Sequence, residues 1–363
     1  MSFICSVGLG IPANELSQSS VKNLVRDIFT YSEKQLSRLL PVFDHAIIDK
    51  RQFVVGEDWF KEEHSFQEKN DLYHKNAISY SLQAMDACLT NKEFLEQDIP
   101  YEAIDLIIFV SSTGIVTPSL DTYLMNERPI REDVSRMPLW GLGCAGGAIG
   151  ISRAFDWLTA HPEKTALIVS CELCSLTFQK DDNQKSNLIG TALFGDGVSA
   201  ALLVGERSEY LASVKEVKPQ IKCTSSATMK NSNSVMGWNI TNDGLEVVFS
   251  KSIPALVQTF WRKHILSFLQ DNIIYKNEIH SIIAHPGGKK VLEAMEVVLQ
   301  VPQEKFKHSY RVLKNHGNMS SATVFYVLHE WLKEEIPKNE KSILSALGPG
   351  FSSELLILEW NER

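Results

Sequence analysis

No window of the 363-residue chain approaches the roughly 18 uninterrupted apolar residues of a membrane span. The opening "MSFICSVGLGIPANEL" has no positive n-region, and Pro12 and Asn14 cut its short apolar run. It reads as a first strand and a turn rather than a secretion signal, so a soluble, cytoplasmic protein is expected. Lysine- and arginine-rich runs are missing too. With 36 basic and 44 acidic residues, the net charge of −8 argues against a nucleic-acid partner, because neutralising phosphates calls for a basic surface. Cysteine is sparse: Cys5, Cys88, Cys144, Cys171, Cys174 and Cys223, irregularly spaced. Free thiols are the default for such a chain without an export signal. Cys171 and Cys174 form one C-x-x-C in "SCELCS", but no second ligand pair lies near enough to complete a zinc site. A thioredoxin-like pair, or two small core residues after a buried strand, are the readings left for them. Low-complexity segments and Gly/Ser linkers are also absent.

What is present is an ordinary globular composition, 44% hydrophobic and 22% charged. Short apolar runs alternate with amphipathic stretches, which points to an α/β protein. "AIDLIIFVSST" (103–113), "ALIVS" (166–170) and "EIHSIIAHPGG" (278–288) read as buried strands. In "SIPALVQTFWRKHILSFLQ" the residues Ile253, Leu256, Val257, Phe260, Trp261, Ile265 and Phe268 keep a 3.6 period. They predict a helix with Ser252 as its cap and Pro254 in the first turn. A weak repeat also runs through the chain. "IDLIIFVSS" is similar to "IHSIIAHPG", and "LFGDGVSAALLVGE" (193–206) to "ALGPGFSSELLILEW" (346–360). Two similar α/β halves would explain both pairs; chance similarity between buried strands is the alternative.

The stretch "WGLGCAGGAIG" (140–150) admits two readings. Gly141, Gly143 and Gly146 have the G-x-G-x-x-G spacing of a dinucleotide-binding loop. That loop needs a clear βαβ unit and an acid about 20 positions on for the ribose. "RMPLW" reads as a short strand at best, and Glu163 lies in a Pro-flanked turn, so the context is missing. As a nucleophile turn the stretch reads better. Small residues on both sides of Cys144 let the backbone turn sharply and a substrate approach. A helix then begins, and its free N–H groups favour an anion, which predicts a lowered thiol pKa. The structural alternative is a buried cysteine in a tight packing turn.

A reactive thiolate needs a base, and acyl chemistry needs donors for an oxyanion. Of ten histidines, His285 stands out because it ends a strand and is followed by Pro286, Gly287 and Gly288. His316, one residue before Gly317, is the second choice. Asn318 in "NHGNMSSATVFYVL" is a candidate donor, with helix capping as its alternative role.

"GCAGGAIGISRA", "AHPGG", "GNMSSATV" and "GPG", in that order, with "LFGDG" and "SSTG", resemble the type III polyketide synthases. These are the chalcone- and stilbene-synthase-like enzymes of the thiolase superfamily. The similarity covers nearly the whole chain and is greatest to the bacterial members that make alkylpyrones from fatty acyl-CoA. It implies a homodimer with a thiolase-like five-layer αβαβα sandwich of two duplicated halves. Residues 1–208 would carry the nucleophile and 209–363 the histidine and asparagine. By the same resemblance Cys144 is the nucleophile, His285 the catalytic histidine and Asn318 the catalytic asparagine. An acyl-CoA starter would load onto Cys144 as a thioester. Malonyl-CoA would then lose carbon dioxide, and its enolate would attack that thioester before ring closure. No metal, flavin, nicotinamide or phosphopantetheine arm is implied, only CoA thioesters as substrates.

The resemblance also implies a pocket. Phe194 matches a gatekeeper between the CoA tunnel and the cavity. An ungapped register puts Val247 at the second gatekeeper, with Phe249 two residues away. It puts Trp238 where plant members have a small glycine. Thr113, Thr117, Cys174, Thr177 and Ser320 match cavity-lining positions. The backbone of Gly287 and Gly288 matches a pantetheine contact, and Lys289 or Lys290 is expected to meet phosphates. Arg38, Lys50 and Arg51 lie near the segment that is basic in plant members but take no assignment. Two rivals remain at this point. One is a single-condensation ketoacyl-carrier-protein synthase of the third type. The other is an idle thiolase-fold protein that binds acyl-CoA.

Overall fold

The computed structural model describes residues 1–215 and 217–362. The expected second half, 209–363, therefore includes two residues, Glu216 and Arg363, that lie outside the described ones. Strands run, in chain order, β1 (Ser2–Gly10), β2 (Asn14–Ser17), β3 (Lys50–Phe53), β4 (Leu106–Ser111), β5 (Ser135–Trp140), β6 (Thr165–Leu173) and β7 (Asp196–Gly205). The chain continues with β8 (Val217–Thr228), β9 (Met236–Thr241), β10 (Gly244–Phe249), β11 (Ile279–Ala284), β12 (Lys341–Gly348) and β13 (Ser352–Glu362). Nine of them share one mixed sheet in the order β11-β12-β13-β8-β1-β7-β6-β4-β5. β2 pairs with β3, and β9 with β10, as two small ribbons.

The order within the sheet repeats. β1-β7-β6-β4 and β8-β13-β12-β11 show the same sequence of two antiparallel pairings followed by a parallel one. The two sequence similarities fall on matching members, β4 with β11 and β7 with β13. The halves are therefore alike in topology, and they meet where Ser2 and Phe3 of β1 pair with Ile221 and Gln220 of β8.

Side-chain alternation explains the layers. In β4, Ile107 and Phe109 join one apolar core, while Leu106, Ile108 and Val110 join another. In β13, Leu356 and Leu358 join that second core, while Leu355 and Ile357 face a third. Strands buried on both faces need continuous apolar runs, which is why "LIIFV" and "LLIL" show no polar alternation. The shared core takes strand residues from both halves and also holds the helices Gly146–Ala160 and Thr323–Leu332. The outer cores hold Phe66–Leu89 on one side and Arg262–Asp271 with Lys289–Leu299 on the other. Helices, half-sheet, helices, half-sheet and helices make the five layers of the expected sandwich.

Two local expectations change. The helix after Ser252 runs to Asp271, but residues Val257–Trp261 form a π turn within it. Ser252 makes no capping bond; its hydroxyl lies 2.7 Å from that of Ser250. "RMPLW" belongs to a full strand, β5, at the sheet edge, where Pro138 leaves no ladder donor missing on an inner strand. No helix among the described residues is long and apolar enough to cross a membrane.

Candidate active site

Cys144 sits in a single 3₁₀ turn, Gly143–Ala145, between β5 and the helix Gly146–Ala160. Since β4 runs parallel to both β5 and β6, this is a βαβ context after all. The expectation that such context is missing is therefore corrected. What rules out a phosphate cradle is occupancy. Gly143 has φ +48°, and a Cβ there would lie 2.7 Å from the Pro349 ring. A Cβ on Gly147 would lie 2.3 Å from the Ser321 carbonyl oxygen. These glycines admit the protein's own chain, not a pyrophosphate. The Gly143 N–H donates to Ser112 Oγ at 2.9 Å, which pins the turn to the end of β4.

Asn318 follows the helix Lys307–His316 and is buried. Its Oδ1 accepts from the Ser320 N–H at 2.8 Å, and the Cys144 thiol points to the same oxygen at 3.8 Å. The Ser320 donor fixes the amide orientation, since a flipped amide would set two donors face to face. Nδ2 therefore faces the third loop and donates to the Gly287 carbonyl at 3.3 Å. His285 leaves β11 with its N–H on Ser345 O at 2.8 Å, and its ring lies near Gly287. Both ring nitrogens are buried without a hydrogen-bond partner among the described residues. His316, the competitor, has Nδ1 2.7 Å from Gln52 Oε1 and its ring edge against Tyr326. Asn318 thus joins the Cys144 turn to Gly287, two residues after His285, and of the two candidate histidines His285 is the one whose ring nitrogens have no partner among the described residues.

The electrostatics differ from expectation. Burial pushes the Cys144 thiol up to about 12, although its hydrogen bonds with Ser320 and Asn318 work the other way. Burial pulls His285 down to about 3. Desolvation is the largest cause in both shifts, so burial favours the neutral thiol and the neutral imidazole over a thiolate–imidazolium pair.

Phe194, Trp238, Val247 and Ser320 line a cavity of about 20 Å3 with Cys144. Trp238 and Val247 are direct cross-strand partners in the β9–β10 ribbon. The Phe194 ring packs on Phe249 at 5.5 Å and Trp238 at 5.8 Å. Cys174 and Thr177 lie on the far side of Phe194, lining an apolar cavity of about 40 Å3 that reaches the helix Gln18–Ile28. Two residues do not join the site. Thr113 is buried, but its Oγ1 accepts from the Leu173 N–H at 2.9 Å and lines neither cavity. Thr117 is exposed, in a loop that turns outward where the Tyr73 ring occupies the space beside Gly114. Cys171, the C-x-x-C neighbour of Cys174, is packed in an outer core.

Gly287, Gly288, Lys289 and Lys290 line an open groove of about 590 Å3 next to Leu193 and Phe249. The groove also gathers Arg38, Lys185 and Lys251. Lys289 pairs with Glu293 at 3.6 Å, whereas Lys290 is exposed with no ion pair among the described residues. No acidic side chain lines this groove, although the chain as a whole is acidic.

The comparisons with known proteins agree with this geometry. The sequence model of FAE1/Type III polyketide synthase-like proteins matches residues 16–284. That of the C-terminal domain of chalcone and stilbene synthases matches residues 220–360. A Bacillus subtilis (strain 168) protein, provisionally named a chalcone synthase, is 45% identical over all of both chains. The chain belongs to the type III polyketide synthase family. A 1,3,6,8-tetrahydroxynaphthalene synthase of Streptomyces peucetius subsp. caesius is 31% identical, over 98% of this chain and 93% of the relative. The crystal structure of 1,3,6,8-tetrahydroxynaphthalene synthase from Streptomyces coelicolor A3(2) superposes with a TM-score of 0.90 at 25% identity, covering 99% of each chain. As a type III polyketide synthase the protein is an acyltransferase that condenses acyl-CoA units. The ketoacyl synthase and idle-binder readings therefore give way.

Sequence reading missed several residues of this synthase. Glu172, fully buried at the end of β6, accepts from the Ser112 N–H at 3.0 Å and from the Ser321 hydroxyl. Burial pushes its carboxyl up to about 7. The only signal was an acid inside a buried strand. Lys185 and Lys251 carried no signal, because the groove collects its charges from separate segments.

Proposed function

We propose that this synthase loads a fatty acyl-CoA starter on Cys144 and extends it with malonyl-CoA to an alkylpyrone- or resorcinol-type product. Cys144 Sγ attacks the acyl thioester carbonyl, its proton passes to His285, and CoA leaves as the thiol. Malonyl-CoA then loses carbon dioxide. The enolate oxygen takes hydrogen bonds from His285 and Asn318 Nδ2, and the enolate carbon attacks the Cys144 thioester. An amide suits that role because it donates without a negative charge to repel the enolate. A neutral thiol and a neutral imidazole, both desolvated, make the proton transfer part of the attack instead of a step before it.

The observation that carries the starter class is the apolar cavity behind Phe194. Val21, Leu24, Val25 and Ile28 form one wall of it. They offer an alkyl chain apolar contact, while Arg51, Ser175, Asn187 and Thr191 line other parts of the cavity. At about 40 Å3 the cavity holds little, so a long chain must displace that wall. The seven-residue CoA reading, Gly287 and Gly288 on pantetheine with Arg38, Lys185, Lys251, Lys289 and Lys290 towards the phosphates, is supported by the uniform sign of the groove. Residues 1–208 and 209–363 are proposed as the two functional halves, and a homodimer as the working unit.

A product assay by mass spectrometry tests the reading. Purified protein receives malonyl-CoA and starters from acetyl-CoA to stearoyl-CoA, with Cys144→Ala alongside. Lactones or phenolic rings of a long-chain starter plus two or three acetate units are expected, absent in the variant. Products built only from acetyl or malonyl units would overturn the fatty acyl assignment.

A further inference from the structure

Arg51 is fully buried (0% exposed) in β3 and plays no part in the steps above. Its Nη1 donates to the carbonyls of Thr191 and Phe194, each at 2.7 Å, and its Nη2 to Gln18 Oε1 at 2.6 Å. Gln18 Nε2 donates in turn to the Ala192 carbonyl at 2.9 Å. The helix Lys185–Leu193 ends here, where carbonyls lack intrahelical partners. Two side chains therefore hold three carbonyls of the segment that carries Phe194. On the other side of this segment a short parallel bridge joins it to the catalytic loop. The Asn318 N–H donates to Leu193 O at 2.8 Å, and the Gly195 N–H to Asn318 O at 3.0 Å. The arginine stem lies against both strands of the bridge. A Cβ on Gly317 would come within 2.7 Å of Arg51 Cδ, and one on Gly195 within 3.3 Å of Arg51 Cβ. Asp196 supplies the nearby negative charge. It is held in turn by the Ser175 N–H at 2.7 Å, the Ser175 hydroxyl at 2.5 Å and the Val54 N–H at 2.8 Å.

We propose that Arg51 is a positioning residue that clamps residues 191–195. It keeps the Phe194 ring across the cavity holding Cys144, and through the bridge it keeps Asn318 in register. The inference rests on the gate role given to Phe194 above. Arg51→Lys keeps the charge but loses the planar fork, whose separate nitrogens reach the Thr191 and Phe194 carbonyls on one side and Gln18 on the other.

The test is a mutant cycle read by the rate at which iodoacetamide modifies Cys144, assigned by peptide mass. Arg51→Lys is made alone and with Phe194→Ala, and melting curves confirm folding. The expected result is a rise of about fivefold or more from Arg51→Lys when Phe194 is present, and less than about twofold when it is replaced. Gln18→Ala, a milder change to the same clamp, is expected to show the same dependence on Phe194 with a smaller rise. It decides the matter if Arg51→Lys does not fold. Equal effects with and without Phe194, or no effect at all, would overturn the proposal. Because alkylation needs no turnover, a wild-type protein that failed to condense malonyl-CoA would count against the catalytic roles and leave the clamp result standing. In a condensing enzyme, Arg51→Lys is expected to lower kcat by a larger factor than it raises the KM for malonyl-CoA, since Leu193 is the one groove residue within the clamped segment.

Discussion

At the scale of single residues, burial sets the chemistry of Cys144. A thiol pushed up to about 12 gains thiolate tenfold per pH unit through the neutral and alkaline range. Iodoacetamide modification of the free protein should therefore keep rising from pH 7 to pH 10. A plateau near pH 6 would show that the thiolate–imidazolium pair forms before substrate arrives. Asn318 allows structure and chemistry to be separated. Asn318→Asp keeps the oxygen that accepts from the Ser320 N–H. It replaces the donor that faces Gly287 with a negative oxygen. The variant should fold with a lowered melting temperature, because a buried carboxylate oxygen then faces the Gly287 carbonyl, and lose roughly 100-fold or more in condensation rate. Near-normal turnover would remove Asn318 from the enolate contact. The residue types at these positions were legible in the sequence, because the loops that carry them are short and rich in glycine. Their protonation was not, because desolvation depends on what the rest of the chain stacks over them.

The element that presents the sulfur is the helix Gly146–Ala160, and its position depends on close backbone approach. Gly147 sits so near the start of the helix Thr323–Leu332 that Gly147→Ala must push the two apart. Overpacking of this kind costs about 1–3 kcal/mol, readable as a lower urea midpoint, with lost activity because Cys144 and Asn318 separate. Gly141→Ala is the control. Its added Cβ meets nothing within 4 Å, and only the φ of +83° is unfavourable, for a cost of about 1–2 kcal/mol. It should retain most activity. Equal inactivation by both would mean that turn conformation, and not helix approach, governs the site. Periodicity predicted the helix after Ser252 but not its π turn. That turn accommodates Trp261, which is fully buried with its Nε1 on Ser345 Oγ at 3.1 Å. Such a contact is set by packing, not by local pattern.

For the molecule as a whole, one exposed face suits the proposed homodimer. Ile115 is 41% exposed and Trp140 52%, next to each other through a 3.0 Å bond from Trp140 Nε1 to the Gly114 carbonyl. They sit at the free β5 edge of the sheet, beside exposed Thr117. Large apolar side chains clustered at a sheet edge are a cost in water that a second copy removes. Light scattering should give the mass of two chains at micromolar concentration, and Ile115→Glu with Trp140→Glu should give one. A wild-type monomer would end the homodimer proposal.

The sequence by itself determined the buried strands, the internal repeat, the tight glycine turn around Cys144 and the family resemblance. Each is written in local pattern: apolar runs where both faces of a strand are covered, and glycine where chains touch. Only the tertiary structure showed that His316 is engaged by Gln52 while the His285 ring nitrogens have no partner among the described residues. It also turned Thr117 out of the pocket, gathered five basic side chains into one groove and buried Arg51 behind Phe194. Those outcomes depend on contacts between residues far apart in the chain, and no stretch of sequence records which distant side chain will desolvate it or donate to it.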